Sequence, residues 1–226
     1  MNRKIFFVFC LSALAIGGLL SFKTREPHIK NTLLNGALKL PAGFTSGIIA
    51  DNLGSTRHIA ITPDNNIYVK LNRAKNGKGI LYLKQDNGKA AIVSGFGNYG
   101  GTGMYIKDGY LYASSNEDVY RYKLNEKNEV VDPDKPEVIV QGLINRREHE
   151  SKSIVLDNDG NIYVNVGAYS NSCQEKDRQK GSMGVKGCPL LDSAGGIWQF
   201  KANKLAQHYG DGIHYARGIR NTVGLD

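Results

Sequence analysis

The side chains able to do chemistry are sparse and widely spaced. There are five histidines, and His149 follows Glu148 in a polar stretch just ahead of an apolar run. An imidazole that titrates near 6.5 can take or give a proton around neutral pH, although taken alone His149 reads equally as a loop histidine without a role. Arg220 and Asn221 lie between Gly218 and Gly224. A guanidinium beside an amide suits an anionic or carbonyl-bearing ligand, and the plain alternative is a surface arginine at a strand end. Asn98 sits in the glycine-rich run from Gly97 to Gly103. That run has neither the lysine nor the following helix that a phosphate cradle needs. Cys173 and Cys188 are the cysteines outside the apolar N-terminus. With no Cys-x-x-Cys and no paired histidine, a disulfide is expected over a metal site. Closing that loop would stabilise the fold by about 3 kcal/mol.

These residues are carried by a repeating strand pattern. His58–Val69 reads as a strand, a polar turn and a second strand, and the pattern returns at Gly103–Ala113 and Ser153–Asn165. Asp108-Gly109 and Asp159-Gly160 are hairpin-turn dipeptides. The second-strand tyrosines, Tyr68, Tyr112 and Tyr163, recur at propeller-blade spacing, and a further strand follows each hairpin at Ile80–Leu83, Val119–Tyr122 and Ile197–Phe200. A period near 45 residues with about four strands is the mark of a β-propeller. A four-stranded sheet must bury both faces, which blades do by packing on each other. No stretch sustains a helical period. The expected fold is all-β, a propeller of three blades over 41–226, with the start of a fourth at Ile213–Asp226.

Ahead of the repeats, Arg3 and Lys4 precede an apolar run from Ile5 to Leu20. Residues 1–21 therefore read as a secretory signal, or as an uncleaved anchor, since no clean cleavage site follows. Residues 22–40 read as a linker. An exported chain with a disulfide belongs in the periplasm or outside the cell. The net charge is +8, but its lysines and arginines are scattered and the Arg146-Arg147 pair runs straight into Glu148, so no nucleic-acid partner is expected.

Three stretches in order, His149–Gly167, Ser170–Phe200 and Ala216–Leu225, resemble the glucose/sorbosone dehydrogenase family. Its members are six-bladed propellers that oxidise sugars with pyrroloquinoline quinone and often bind calcium. The resemblance covers the first half of that domain, from about Leu40 onward. It implies that His149 is the general base, that Glu148 orients it, that Arg220 and Asn221 contact the quinone, and that Asn98 approaches the sugar. The family's calcium-binding segment and its further cationic residues would fall beyond Asp226, so the metal ligands stay unknown and the domain is expected to be truncated. The particular sugar and the electron acceptor are not implied. Two other functions stay open on the residues alone: a non-catalytic propeller that binds a glycan or a protein, and a lactonase-type hydrolase using a metal held by Glu148, Asn98 and Asn165.

Overall fold

In a computed structural model that describes residues 38–226, strand takes 41% and helix 4%, so the core is built by sheets alone. The leader and most of the 22–40 stretch lie outside the described residues. Three antiparallel sheets follow one another along the chain. The first is β1 (Thr56–Ile61), β2 (Ile67–Lys75), β3 (Lys78–Asp86) and β4 (Lys89–Phe96), paired in that order. The second is β5 (Met104–Lys107), β6 (Tyr110–Ser114), β7 (Val119–Lys123) and β8 (Glu137–Gln141). The third begins with β9 (Ile154–Leu156), β10 (Asn161–Val166) and β11 (Gly196–Lys201). A two-residue strand, β12 (Gln207–His208), then runs parallel to β8, joining the third repeat to the second sheet.

The expected fourth repeat is not there. Ile213–Arg217 forms β13, which pairs antiparallel with β11 and completes the third sheet. The reason is a long excursion between β10 and β11. It pushes the sheet's last strand so far along the chain that it reads as a new repeat. The part of 213–226 beyond β13 contains no strand.

Strand alternation sends neighbouring residues to opposite faces, and both faces are used. Tyr68, Ile80, Tyr82 and Phe96 of the first sheet pack with Met104, Leu111, Ala113 and Tyr122 of the second. Val119, Ile139 and Val140 of the second pack with Ile154, Ile162, Val164, Trp198 and Phe200 of the third. On its far side the first sheet buries Val69, Leu71, Leu81 and Leu83 beneath Ala50 and Leu53. The leading strands β1, β5 and β9 touch in series, so the sheets stack side by side like propeller blades. The 44-residue and 51-residue offsets of Tyr68, Tyr112 and Tyr163 put all three on second strands.

Successive strands reverse direction, so connections alternate between two ends of the stack. Residues 62–66, 108–109 and 157–160 turn at one end. At Asp108-Gly109 both φ angles are positive, 49° and 76°, as a tight two-residue hairpin requires. At the other end lie 76–77, 97–103, 115–118, 142–153, 167–195 and the segment after β13. All the residues singled out for chemistry fall at this second end.

Candidate active site

His149 is held in a left-handed backbone conformation at φ 48°, two residues after Arg147 at φ 61°. Few non-glycine residues adopt such angles without being held there by surrounding structure. Its Nδ1 lies 2.6 Å from the carbonyl oxygen of Ala168. A carbonyl can only accept, so Nδ1 carries the hydrogen and the neutral ring keeps its lone pair on Nε2. Nε2 makes no hydrogen bond to any described residue. In this half-buried imidazole one nitrogen is anchored, which leaves Nε2 of the neutral form as the position that can accept a proton.

The backbone reaches this point because β10 is followed directly by Gly167. A Cβ there would lie 2.6 Å from the Cβ of His149 and 2.9 Å from Oδ1 of Asn221, and nearer still to the carbonyl oxygen of His149. Only glycine allows these three segments to converge. The next residue bonds both ways: the Ala168 N–H donates to the Arg220 carbonyl at 2.7 Å, while its own carbonyl holds His149. The structure thus brings together His149, Arg220 and Asn221, which lie 71 and 72 positions apart in the chain. The Arg220 side chain is exposed and has no ion-pair partner among the described residues. The Asn221 side chain is engaged, its Oδ1 accepting from Nδ2 of Asn165 at 2.9 Å.

Glu148 stands differently from expectation. It makes no bond to His149, whose orientation is set instead by Ala168. The carboxylate accepts from Arg178, from Nε at 2.9 Å and from Nη2 as well. Arg178 belongs to the β10–β11 excursion, which is closed by the Cys173–Cys188 disulfide with 5.9 Å between Cα atoms. Glu148 therefore moors the disulfide-bound loop beside the histidine. Asn98 shares this end of the stack but is exposed on the β4–β5 connection, beside Gly77 of the β2–β3 turn. No hydrogen bond connects it to the His149 cluster.

Cations mark the surroundings. The Arg146 guanidinium stacks over Tyr169 at 4.8 Å. Lys152 is buried, and desolvation lowers its pKa to about 8 while the carboxylates of Glu150 and Glu117 act in the opposite sense. Its Nζ donates to the Glu150 carbonyl at 2.9 Å, fastening the turn that carries His149. Lys70, buried under the β4–β5 connection, donates to the carbonyls of Tyr99 at 2.9 Å and Gly79 at 3.3 Å, and burial lowers its pKa to about 7.

The three residues of the hydrolase reading are not gathered into a ligand set. Glu148 is paired with Arg178, Asn98 is remote, and Asn165 spends its amide on protein partners. Among the described residues no group of three or more His, Cys, Asp or Glu side chains could hold a metal. The roles of Ala168, Gly167 and Arg178 were not read from the sequence, and Asn165 was read there only as a candidate metal ligand. The available hints were a glycine ending a strand with no turn to make, and an amide inside the apolar run Ile162–Val166.

Comparison with known proteins agrees with the architecture. Residues 38–226 match a family model described as TrAA12-like. The holo form of the PQQ domain of pyranose dehydrogenase from Coprinopsis cinerea superposes with a TM-score of 0.62 at 17% identity, over 83% of this chain and 44% of that one. A Trichoderma reesei carbohydrate-active enzyme of family AA12 does so in its calcium structure with a TM-score of 0.58 at 21% identity, over 79% and 44%. Its iodide structure gives 0.57 at 22%, over 78% and 43%. The chain thus spans less than half the length of these structures. No curated protein matches it. The family match covers every described residue, and the chain belongs to the TrAA12-like family.

Proposed function

We propose that this chain is part of an exported oxidoreductase that oxidises a sugar hydroxyl using pyrroloquinoline quinone, with His149 as the general base. The observation that carries the reading is the anchoring of His149. The Ala168 carbonyl fixes the tautomer, leaving Nε2 free to receive the hydroxyl proton. Family membership supports the chemical class, as does the fold shared with the PQQ domain of a pyranose dehydrogenase and with a carbohydrate-active enzyme of family AA12.

The residues present fit such a cofactor. A ligand with three carboxylates needs fixed cations, and Arg220 offers an exposed guanidinium on a segment bonded to the histidine's own support. When bound, the quinone supplies a two-electron acceptor for the hydride leaving the sugar carbon. The chain's own residues do the rest. His149 holds the departing proton at Nε2 as the C–O bond becomes a carbonyl, and Arg220 grips the anionic ligand. Asn221 holds its segment in register, through its bond to Asn165. Calcium belongs to the same reading as a family property, and Asn98 to a more distant sugar contact. The Cys173–Cys188 bond supports an oxidising compartment, periplasmic or extracellular.

The test is reconstitution. Purified chain is mixed with pyrroloquinoline quinone and Ca²⁺, quinone binding is followed by fluorescence, and dye reduction is measured with a panel of aldoses. Saturable binding with sugar-dependent reduction is expected from a chain containing every blade of the domain. Failure of a chain extended through all its blades to bind the quinone would overturn the proposal.

A further inference from the structure

Asn165 lies on β10, fully buried between Val164 and Val166. An uncharged amide in such a place must satisfy its polar atoms internally, because each one left unpaired costs about 1–3 kcal/mol. It does so across two separate stretches of chain. Nδ2 donates to the Ser151 carbonyl at 2.8 Å and to Oδ1 of Asn221 at 2.9 Å. Oδ1 accepts the backbone N–H of Thr222 at 3.0 Å. Ser151 is two residues from His149, and Asn221 adjoins Arg220. A second bond runs the same way below it, from Ser153 Oγ to the Val223 carbonyl at 2.6 Å. A third runs above it, from Ala168 N–H to Arg220.

We infer that Asn165 is a positioning residue that sets the spacing between the proton-accepting His149 and the cationic Arg220 segment. The inference rests on the proposed function for the meaning of that spacing, but the coupling itself is a property of this chain. The two flanking bonds, from the Ser153 hydroxyl and the Ala168 backbone N–H, belong to other residues and would survive replacement of Asn165. The amide reaches both the turn before β9 and the segment after β13 from a third element, whereas the Ser153 hydroxyl joins the two directly. It also accounts for an amide between Val164 and Val166, where a valine would link nothing. Asn221 gains a definite part: its carbonyl oxygen faces Asn165, leaving its own N–H groups directed away from that bond.

Two variants separate the coupling from simple stability. Asn165→Ala removes all three bonds. Asn165→Asp keeps an acceptor for Thr222 while losing both donors. The readouts are amide exchange at Thr222, the ¹⁵N shifts of the His149 ring, and quinone affinity. In Asn165→Ala, Thr222 exchange should accelerate at least tenfold and the His149 ring shifts should move. In Asn165→Asp, Thr222 should stay protected while the His149 shifts and those of the Asn221 side chain still move. Quinone affinity should fall at least tenfold in both. Where an unsubstituted chain containing every blade shows no quinone binding, the proposed function is at fault, and the exchange and ring shifts still decide the coupling. His149 shifts identical to the native protein in a folded Asn165→Asp variant would overturn the inference.

Discussion

The two ends of the sheet stack are built by different kinds of bond. At the turn end each connection is shaped mostly by its own residues. Asp157 accepts from the N–H groups of Asp159 and Asn161 and from the side chains of Asn161 and Tyr163, all within six positions. Asn125 serves Lys127 and Glu129 in the same way. At the site end the connections bond chiefly to one another: Glu148 with Arg178 across 30 positions, Asn165 with Asn221 across 56, Ser153 with Val223 across 70. Local bonds make a turn wherever the sequence places it. Long-range bonds make a site only once the sheets are stacked, so the site end depends on the whole fold. At the turn end, bonds such as Asn128 to Asp64 and Lys107 to Asn158 join turns already shaped locally.

The largest expected effect tests whether the site end is organised around its histidine. His149→Asn is the informative change, because asparagine tolerates the left-handed backbone better than most residues. In a domain complete enough to turn over, kcat should drop roughly 10²–10⁴-fold, the usual range for losing a general base, with quinone affinity changed by less than about threefold. Equal loss of affinity and turnover would mean that His149 shapes the pocket instead of taking the proton.

The same contrast explains what was legible in the sequence. Strand alternation, Asp-Gly turns and the recurring tyrosines are local signals, and they placed all three sheets and the turn between β5 and β6. The disulfide pair was legible because few cysteines leave few choices. The last strand was misassigned because the β10–β11 excursion broke the period, which only the pairing of Ile213–Arg217 with β11 reveals. Glu148 was expected to orient His149 because the family resemblance implied it. The partner it takes, Arg178, comes from a loop whose path no local pattern announces. Resemblance supplied the grouping of His149 with Arg220 and Asn221, and the structure supplies its physical basis in Gly167, Ala168 and Asn165.

Paired glycine substitutions sharpen the comparison at an intermediate scale. Gly109 has φ 76° and open space where a Cβ would go, so Gly109→Ala should cost about 1 kcal/mol from backbone strain alone. Gly167→Ala forces a methyl between His149 and Asn221 and should cost about 1–3 kcal/mol by overpacking. Denaturant unfolding measures both. Only the second should also shift the His149 ring resonances. If Gly109→Ala moved them equally, the two ends would not be independent.

The smallest effect separates the ends by pH. Lys70 and Lys152, at the site end, have pKa values lowered by burial to about 7 and about 8. In the unfolded chain both titrate near 10.4. Between pH 7 and 10 the unfolded chain therefore binds more protons than the native one, so stability rises with pH across that window. Above pH 10 the trend reverses, because burial and the bond to Asp118 hold the Tyr120 hydroxyl protonated up to about 12 in the native state. At the turn end, hydrogen bonds from Asn161, joined by those from Tyr163 and Asp159, lower the Asp157 pKa to about 2. Its contribution is complete above about pH 4 and disappears as pH falls through about 2. Thermal melts should thus show a rising Tm from pH 7 to 9, and an acid loss below pH 4. Lys70→Met should reduce the first, leaving the part due to Lys152, and spare the second, while Asp157→Asn should weaken the second and leave the first. A native Tm that is level or falling from pH 7 to 9 would show that the buried lysines do not govern stability at the site end.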